Sequence, residues 1–279
     1  MNSDWQILSY SENHSALSTY ARLLSQNLGM PAYLEHPSHY YLNALHPRFV
    51  RKKTIVSNIY SWVVGPHISV IHDLGPIEYG SAFVSYYTGL ILLKIRSPLV
   101  FVSRHTQKEF ESYFYKKRKS TVIYPFIAPE FQPLGRTRED YVLIDFNPKS
   151  GPRKNYPAYV KYIKEHPETT FYKLGGRFVE DLPNVQYFEH LDFKEINELY
   201  NRADRLLFLS LDEGFGSPLA QAMITKTPVE GLMDNEINRE VYGDLSSKDV
   251  DEKYNRIIEI CNPQTLKGKW KEVLEGVGW

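Results

Sequence analysis

Apolar residues along the chain gather into short continuous runs separated by segments of helical spacing. The runs ISVIH (68–72), LVFVS (99–103), TVIY (121–124), YVLIDF (141–146), TTFYKL (169–174), VQYF (185–188) and RLLFL (205–209) predict strands. They are continuous more than alternating, which is the mark of strands buried on both faces. Between them Leu17, Tyr20, Leu24 and Leu28 recur at helical spacing, as do Phe193, Ile196 and Tyr200. Val250, Tyr254, Ile257, Ile258 and Cys261 form another helical stripe, with Ser246 or Ser247 as its expected N-cap. Strands alternating with helices predict an α/β protein built on parallel sheets.

The segment PFIAPEFQPLG (125–135) carries three prolines and no period, so it is the expected linker. Three of these runs precede it and four follow. The chain, at 279 residues, accommodates one large domain or two modest ones. The linker favours two α/β domains with a cleft between them.

Composition narrows the function classes. The formal net charge is zero, so no whole-protein field recruits nucleic acid or anionic membrane. A single cysteine, Cys261, excludes an internal disulfide framework and points to a reducing, cytoplasmic setting. The N-terminal MNSDWQILSYSENHS lacks the basic-then-apolar layout of a signal peptide. The most apolar region, Leu90 to Val102, is broken by Lys94, Arg96 and Pro98 and does not read as a membrane span. Tyrosine occurs 21 times, which suits both carbohydrate stacking and core filling, so it separates little.

The stretch LDEGFGSPLAQAM (211–223) carries the most chemistry. Ser217-Pro218 is a helix start, with serine as cap and proline in the first turn. Gly214, Phe215, Gly216 and Ser217 then stand between the end of a strand and a helix N-terminus. There α/β sheets bind ligands, and free N–H groups with the helix dipole favour an anion such as phosphate. Glu213 would be repelled by phosphate and fits ligand hydroxyls better. A ligand carrying both is a sugar phosphate or nucleotide sugar. By local sequence alone, a glycine turn with Glu213 in water explains the stretch equally well.

EGFGSPLAQAM followed by TKTPVEGLMDNEINREVYGD (225–244) resembles the donor-site signature of retaining GT-B glycosyltransferases. That signature has Glu, seven residues, Glu, then Ala-Met, a small-residue step, Pro-Val and a later acidic element. Glu213 takes the first Glu position and Gln221 replaces the second. YVLIDFNPKSGPRKN (141–155) resembles the first strand of the nucleotide domain with its basic loop. Lys154 falls at the phosphate lysine, and Lys149 or Arg153 stands in for the family's arginine. YKLGGRF (172–178) resembles the second strand with its glycine turn, Gly175 and Gly176. NVQYFEHLDFKEINELYNRADRLLFLS (184–210) resembles the base-holding loop, with Glu189 and His190, and the helix leading to the signature strand. In the first half, SVIHDLGP (69–76) resembles the strand-end histidine motif, with His72. LVFVSRHTQKEF (99–110) resembles the strand–Ser–helix unit and VIYPFIAPEF (122–131) the entry to the second domain. HSALSTYARLLSQNL (14–28) lines up with the family's first helix but lacks its glycine-rich turn.

The resemblance implies GT-B architecture: two Rossmann-like parallel-sheet domains facing a cleft. Residues 1–130 would be the acceptor-side domain, 131–265 the nucleotide-sugar domain, and 266–279 a C-terminal helix crossing back to the first. It implies a retaining, hexosyltransferase-type, metal-independent enzyme. Its substrate would be a UDP- or GDP-linked sugar, and it would use no cofactor. His72, Lys154 and Glu213 would be catalytic. Lys149, Arg153, Gly175, Gly176, Glu189, His190, Gly214, Phe215, Gly216, Ser217 and Gln221 would bind the donor. The alternative is a catalytically weak or inactive nucleotide-sugar or glycan-binding protein of the same fold, which Gln221 favours. Histidines scattered without ligand spacing agree with the expectation of no metal. The basic cluster Lys116, Lys117, Arg118 and Lys119 reads as a solvated helix end, with weak contact to an anionic membrane surface as its functional reading.

Overall fold

The structure is a computed structural model and describes residues 4–10, 16–35, 48–57, 63–80, 85–86, 88–89, 97–114, 119–148 and 151–277. The chain divides into two compact units, Met1–Phe126 with Cys261–Trp279, and Ile127–Ile260. The boundaries read from sequence were 130 and 265, against 126 and 260 here.

The first unit carries β1 (Trp5–Tyr10), α1 (Ala16–Leu28), β2 (Ala32–Glu35), β3 (Arg48–Phe49), β4 (Lys53–Val56), β5 (Val63–Val64), β6 (His67–Ile71), α2 (Gly75–Glu78), β7 (Leu99–Phe101), α3 (Arg104–Tyr113) and β8 (Ser120–Val122). Six of these strands form one parallel sheet in the order β2-β1-β4-β6-β7-β8, and β3 pairs separately with β5. Every residue of β6 and β7 is buried, as their unbroken apolar runs require. The later α9 (Pro263–Glu275) joins this unit, packs on α1, and buries Leu266 and Trp270 completely. Lys119 Nζ donates to the Gly276 carbonyl at 2.6 Å, which employs that lysine within the fold. Residues 115–118, with the rest of the basic cluster, lie outside the described residues.

The second unit carries β9 (Glu139–Asp145), α4 (Tyr156–Glu165), β10 (Phe171–Leu174), β11 (Val185–Phe188), α5 (Phe193–Arg202), β12 (Ala203–Leu207), α6 (Ser217–Ile224), β13 (Val229–Glu230), α7 (Glu236–Tyr242) and α8 (Val250–Ile260). Its five strands are all parallel, in the order β11-β10-β9-β12-β13. Tyr159, Val160 and Ile163 of α4 bury against Val142, Ile144 and Phe171, each worth roughly 1.5–3 kcal/mol of apolar burial.

Local chemistry starts the helices. Asp192 and Glu195 form a reciprocal capping box at α5. At α8 the cap is Asp249, whose carboxylate accepts from the N–H groups of Asp251 and Glu252, and not Ser246 or Ser247. An aspartate directly before the first helical residue outcompetes serines two and three residues further back.

Candidate active site

In the second unit the chain runs outward from β9 through β10 to β11. It then returns to the other side of β9 as β12 and continues to β13. The strand order reverses between β9 and β12, and it is outside the carboxyl ends of such a strand pair that open α/β sheets bind ligands. Both loops singled out in the sequence leave these two strands.

The loop after β9 contains a 3-10 turn, Pro152–Lys154, followed by Asn155 in a left-handed conformation with φ 54°. Backbone and side chain tie it to the loop after β12. The Leu211 N–H donates to the Arg153 carbonyl at 2.8 Å. The Asn155 amide donates to the Leu209 carbonyl at 3.0 Å. Lys149 lies outside the described residues.

Across these loops Lys154 Nζ lies 2.5 Å from Glu213 Oε1. The two residues are 9% and 6% exposed. A pair this buried loses much hydration, so its stability rests on contact and on neither partner being removed. Without a ligand, each charge neutralises the other.

Two more ionisable groups lie behind the pair. Burial holds the Asp145 carboxyl above the usual carboxylate range, opposed by a 2.7 Å hydrogen bond from the Tyr200 hydroxyl and by Lys173 and Lys154. Lys173 is fully buried, and burial brings its ammonium down to about 7, opposed by Asp145. Neither was singled out from sequence. The signal was a charge inside an apolar strand, at Asp145 of YVLIDF and at Lys173 of FYKL.

Glu213, Gly214, Phe215 and Gly216 are buried where the loop enters α6. Gly216 has φ 80° and occupies the cap position; Ser217 is the first helical residue and is exposed. The expectation that Ser217 caps this helix is therefore corrected. The chain enters through a left-handed residue, which glycine adopts without steric cost, and the helix begins after it. Gln221 lies on α6, half-buried, with its Oε1 shielded from solvent and without a hydrogen-bond partner. An acceptor left so costs stability until something donates to it.

Gly175 and Gly176 follow β10 with φ 77° and 107°. A Cβ on Gly175 would come within 2.9 Å of the Phe146 carbonyl, so the turn needs glycine to reach the end of β9. Glu189 and His190 are exposed at the end of the edge strand β11, and Glu189 lies 3.8 Å from Arg177. The structure sets these two apart from the paired loops, since β10 and β9 intervene between β11 and β12.

The first unit has its own reversal, between β1 and β4. Ser9 is the penultimate residue of β1, Ser57 follows β4, and His72 follows the adjacent β6. Ser9 Oγ donates to the Ser57 carbonyl at 3.4 Å. Ser57 Oγ and His72 Nε2 are 2.9 Å apart. The Tyr20 ring meets the imidazole edge-on, with centroids 4.5 Å apart. Burial lowers the His72 pKa to about 4, against a raising influence from Asp73, so the ring is neutral at pH 7. The sequence marked His72, but not the serines that surround it.

No protein-family model matches the chain. The O-antigen chain mannosyltransferase RfbU of Salmonella typhimurium is 28% identical over 177 residues, which are 57% of this chain and 50% of that protein. The chain thus spans about half the length of the curated relative it matches. The crystal structure of HepE from Anabaena in complex with UDP and glucose has TM-score 0.65 at 13% identity, covering 98% of this chain and 100% of that one. Sucrose-phosphate synthase from Thermosynechococcus elongatus has TM-score 0.68 at 13% identity, covering 98% of each chain. With two all-parallel Rossmann-like sheets and these structural neighbours, the chain has the GT-B glycosyltransferase fold.

Proposed function

We propose that this chain binds a nucleotide-diphospho-sugar on its Ile127–Ile260 unit and transfers the sugar, with retention of configuration, to an acceptor hydroxyl. The observation that carries the reading is the Lys154–Glu213 pair, held between the two loops that leave β9 and β12. A buried lysine and glutamate match the two halves of such a donor. The diphosphate takes Lys154, which frees Glu213 to accept from sugar hydroxyls. RfbU is a mannosyltransferase, and HepE binds UDP and glucose. Both agree with this donor class.

The chemistry asked of the protein is electrostatic. As the glycosidic bond breaks, negative charge grows on the leaving diphosphate. Lys154 stabilises that charge together with a second basic residue of the same loop, for which Lys149 and Arg153 are the candidates, and the positive end of α6 adds to it. The acceptor hydroxyl attacks from the face the diphosphate leaves and passes its proton to the leaving phosphate oxygen, so configuration is kept. Neutral His72, on the first unit, offers a hydrogen bond to an acceptor hydroxyl without adding charge. Lysine and a helix N-terminus do the work a divalent ion does elsewhere, so the reaction runs without added metal. Gln221 Oε1 supports the ribose, accepting one hydroxyl.

The test is incubation of the full chain with UDP-glucose, UDP-N-acetylglucosamine and GDP-mannose, with calorimetry for binding and an assay for nucleoside diphosphate release. At least one is expected to bind and turn over in EDTA. Binding without release points to a sugar-nucleotide-binding protein instead. No binding at all removes the donor-site reading, and activity that EDTA abolishes and Mn²⁺ restores removes the metal-free part.

A further inference from the structure

Lys173 is an anomaly in its strand. It occupies a central position of β10 and is 0% exposed, where isolated ammonium groups are costly. Its position explains why the fold tolerates it. The ammonium donates to the carbonyls of Phe146, the first residue past the carboxyl end of β9, and of Leu174, the last residue of the neighbouring β10. Two rings flank it, Phe146 with its centroid at 4.4 Å and Phe178 at 5.5 Å. The Phe146 carbonyl is also the group that Gly175 packs against. One carbonyl thus meets the lysine and the glycine turn, at the root of the loop that carries Arg153 and Lys154.

We propose that Lys173 is a positioning residue for the diphosphate site: its ammonium ties the carboxyl ends of β9 and β10 together and so sets the basic loop and the Gly175–Gly176 turn. The inference rests on the donor-site reading given above. A strand end is where backbone carbonyls lose their ladder partners. A side chain that bonds two such carbonyls fixes both exits at once, and fixed exits leave less freedom to be lost when an anion binds.

The clamp is strongest when Lys173 carries its proton. The charged form bonds with charge assistance, and it adds positive charge behind Lys154. Losing the proton leaves two neutral N–H donors. The charged groups that face it are Asp145 on β9, which favours the proton, and Lys154 on the basic loop, which opposes it. Glu213 and the Tyr200 hydroxyl act on it through Asp145. Burial places its pKa at about 7, so the proton is held on the acid side of neutrality and released above it. A diphosphate bound nearby draws the proton back on.

The experiment compares the full wild-type chain with Lys173→Met and Lys173→Arg. UDP-glucose and GDP-mannose serve as probes because a pyrophosphate diester has no titration of its own between pH 6 and 9. Calorimetry is expected to show wild-type affinity falling roughly tenfold from pH 6 to pH 8.5, an average uptake of about 0.4 proton per site on binding. Lys173→Met binds about tenfold more weakly at pH 6 and shows no such slope. Lys173→Arg, always charged, restores affinity at pH 8.5 and also loses the slope. Hydrogen exchange on the unliganded protein supplies an arm that needs no donor. Amides of residues 151–155 and 175–178 exchange faster in Lys173→Met, and at wild-type rates in Lys173→Arg. If neither sugar nucleotide binds the wild type, the donor reading fails, and the exchange arm alone decides the clamp. Unchanged exchange in Lys173→Met, or wild-type affinity and slope in that variant, overturns the proposal.

Discussion

Each unit gathers polar side chains where its own strand order reverses, yet the two groups differ in charge. At β9 and β12 the chain buries Lys154 against Glu213, with Lys173 and Asp145 behind. At β1 and β4 it places Ser9, Ser57 and a neutral His72. Topology supplies an equivalent position in both units, and residue choice separates them. Stored opposite charges suit a ligand that is part anion and part sugar. Neutral hydroxyls and an imidazole suit hydroxyl groups. On the proposed function, the first is the donor end and the second the acceptor end.

The sharpest way to break this contrast is to remove one charge. In Lys154→Ala the Glu213 carboxylate stays buried without its partner, so the protein should lose about 3–5 kcal/mol of stability. Sugar-nucleotide binding should weaken by about 1.5–3 kcal/mol. The double variant Lys154→Met/Glu213→Leu separates these effects. Stability should return to within about 1 kcal/mol of wild type, because an apolar pair of similar volume replaces the ion pair, while binding stays lost. Urea unfolding and calorimetry read the two quantities. If stability and affinity return together, the pair serves the fold and not a ligand.

The acid response of the two groups should run in opposite directions. His72 has a folded pKa of about 4, below the ordinary 6.5, so the unfolded chain binds its proton more tightly. Its contribution is intact above pH 6.5 and is lost as pH falls through the interval from 6.5 to 4, reaching about 3 kcal/mol. Asp145 is held above its ordinary value, so through this group acidification favours the folded state. His72→Gln can keep a hydrogen bond to Ser57 and does not titrate. Relative to wild type it should gain stability steadily from pH 6.5 down to pH 4. An unchanged difference between the two proteins across that range would mean that His72 is not shielded from water as the structure has it.

What the sequence made legible follows the same division. Apolar runs such as YVLIDF and ISVIH declared strands within a residue or two, because a buried parallel strand leaves little room for polar residues. β1, β2 and β4 were not singled out: WQILSY, AYLE and KTIV mix polar residues into short runs. The two-residue β3, β5 and β13 exist only by pairing and have no pattern of their own. Lys154 and Glu213 were legible from motif spacing, but their direct pairing was not. Contact between residues 59 positions apart depends on how two loops meet, and no local pattern encodes that.

Glu213→Gln probes the pair from the other side and should have a smaller effect on the fold. Glutamine keeps an acceptor near Lys154 but not the charge, so sugar hydroxyls are held less firmly. Turnover should fall by roughly 10- to 100-fold, the scale of one charged hydrogen bond lost at the reacting centre. Free nucleoside diphosphate should bind as well as before or a few-fold tighter, because Lys154 no longer has a competing carboxylate. This split between turnover and product affinity sharpens the assignment. Equal loss of both would place Glu213 on the diphosphate instead of the sugar.

The smallest expected effect concerns Gln221. It stands eight positions after Glu213, where the resemblance expects a second glutamate. Its side-chain oxygen is shielded from solvent and has no hydrogen-bond partner. A shielded acceptor of this kind is stabilised by any ligand hydroxyl that reaches it, so Gln221 fits a weakened but working donor site. Gln221→Glu adds a charge to that acceptor. In the free protein the new carboxylate is partly desolvated, which should lower stability by about 1 kcal/mol. With a sugar nucleotide bound, it accepts ribose hydroxyls with charge assistance and should tighten binding by a few-fold, on the order of 1 kcal/mol. The two changes have opposite signs, and that opposition marks a ligand site. A glutamine turned into the core would lose stability on the same substitution and gain nothing in affinity. Urea unfolding and calorimetry on Gln221→Glu decide it, with Gln221→Met as the control that removes the acceptor. Gln221→Met should raise stability slightly and weaken binding, and if it leaves affinity unchanged, Gln221 has no part in holding the donor.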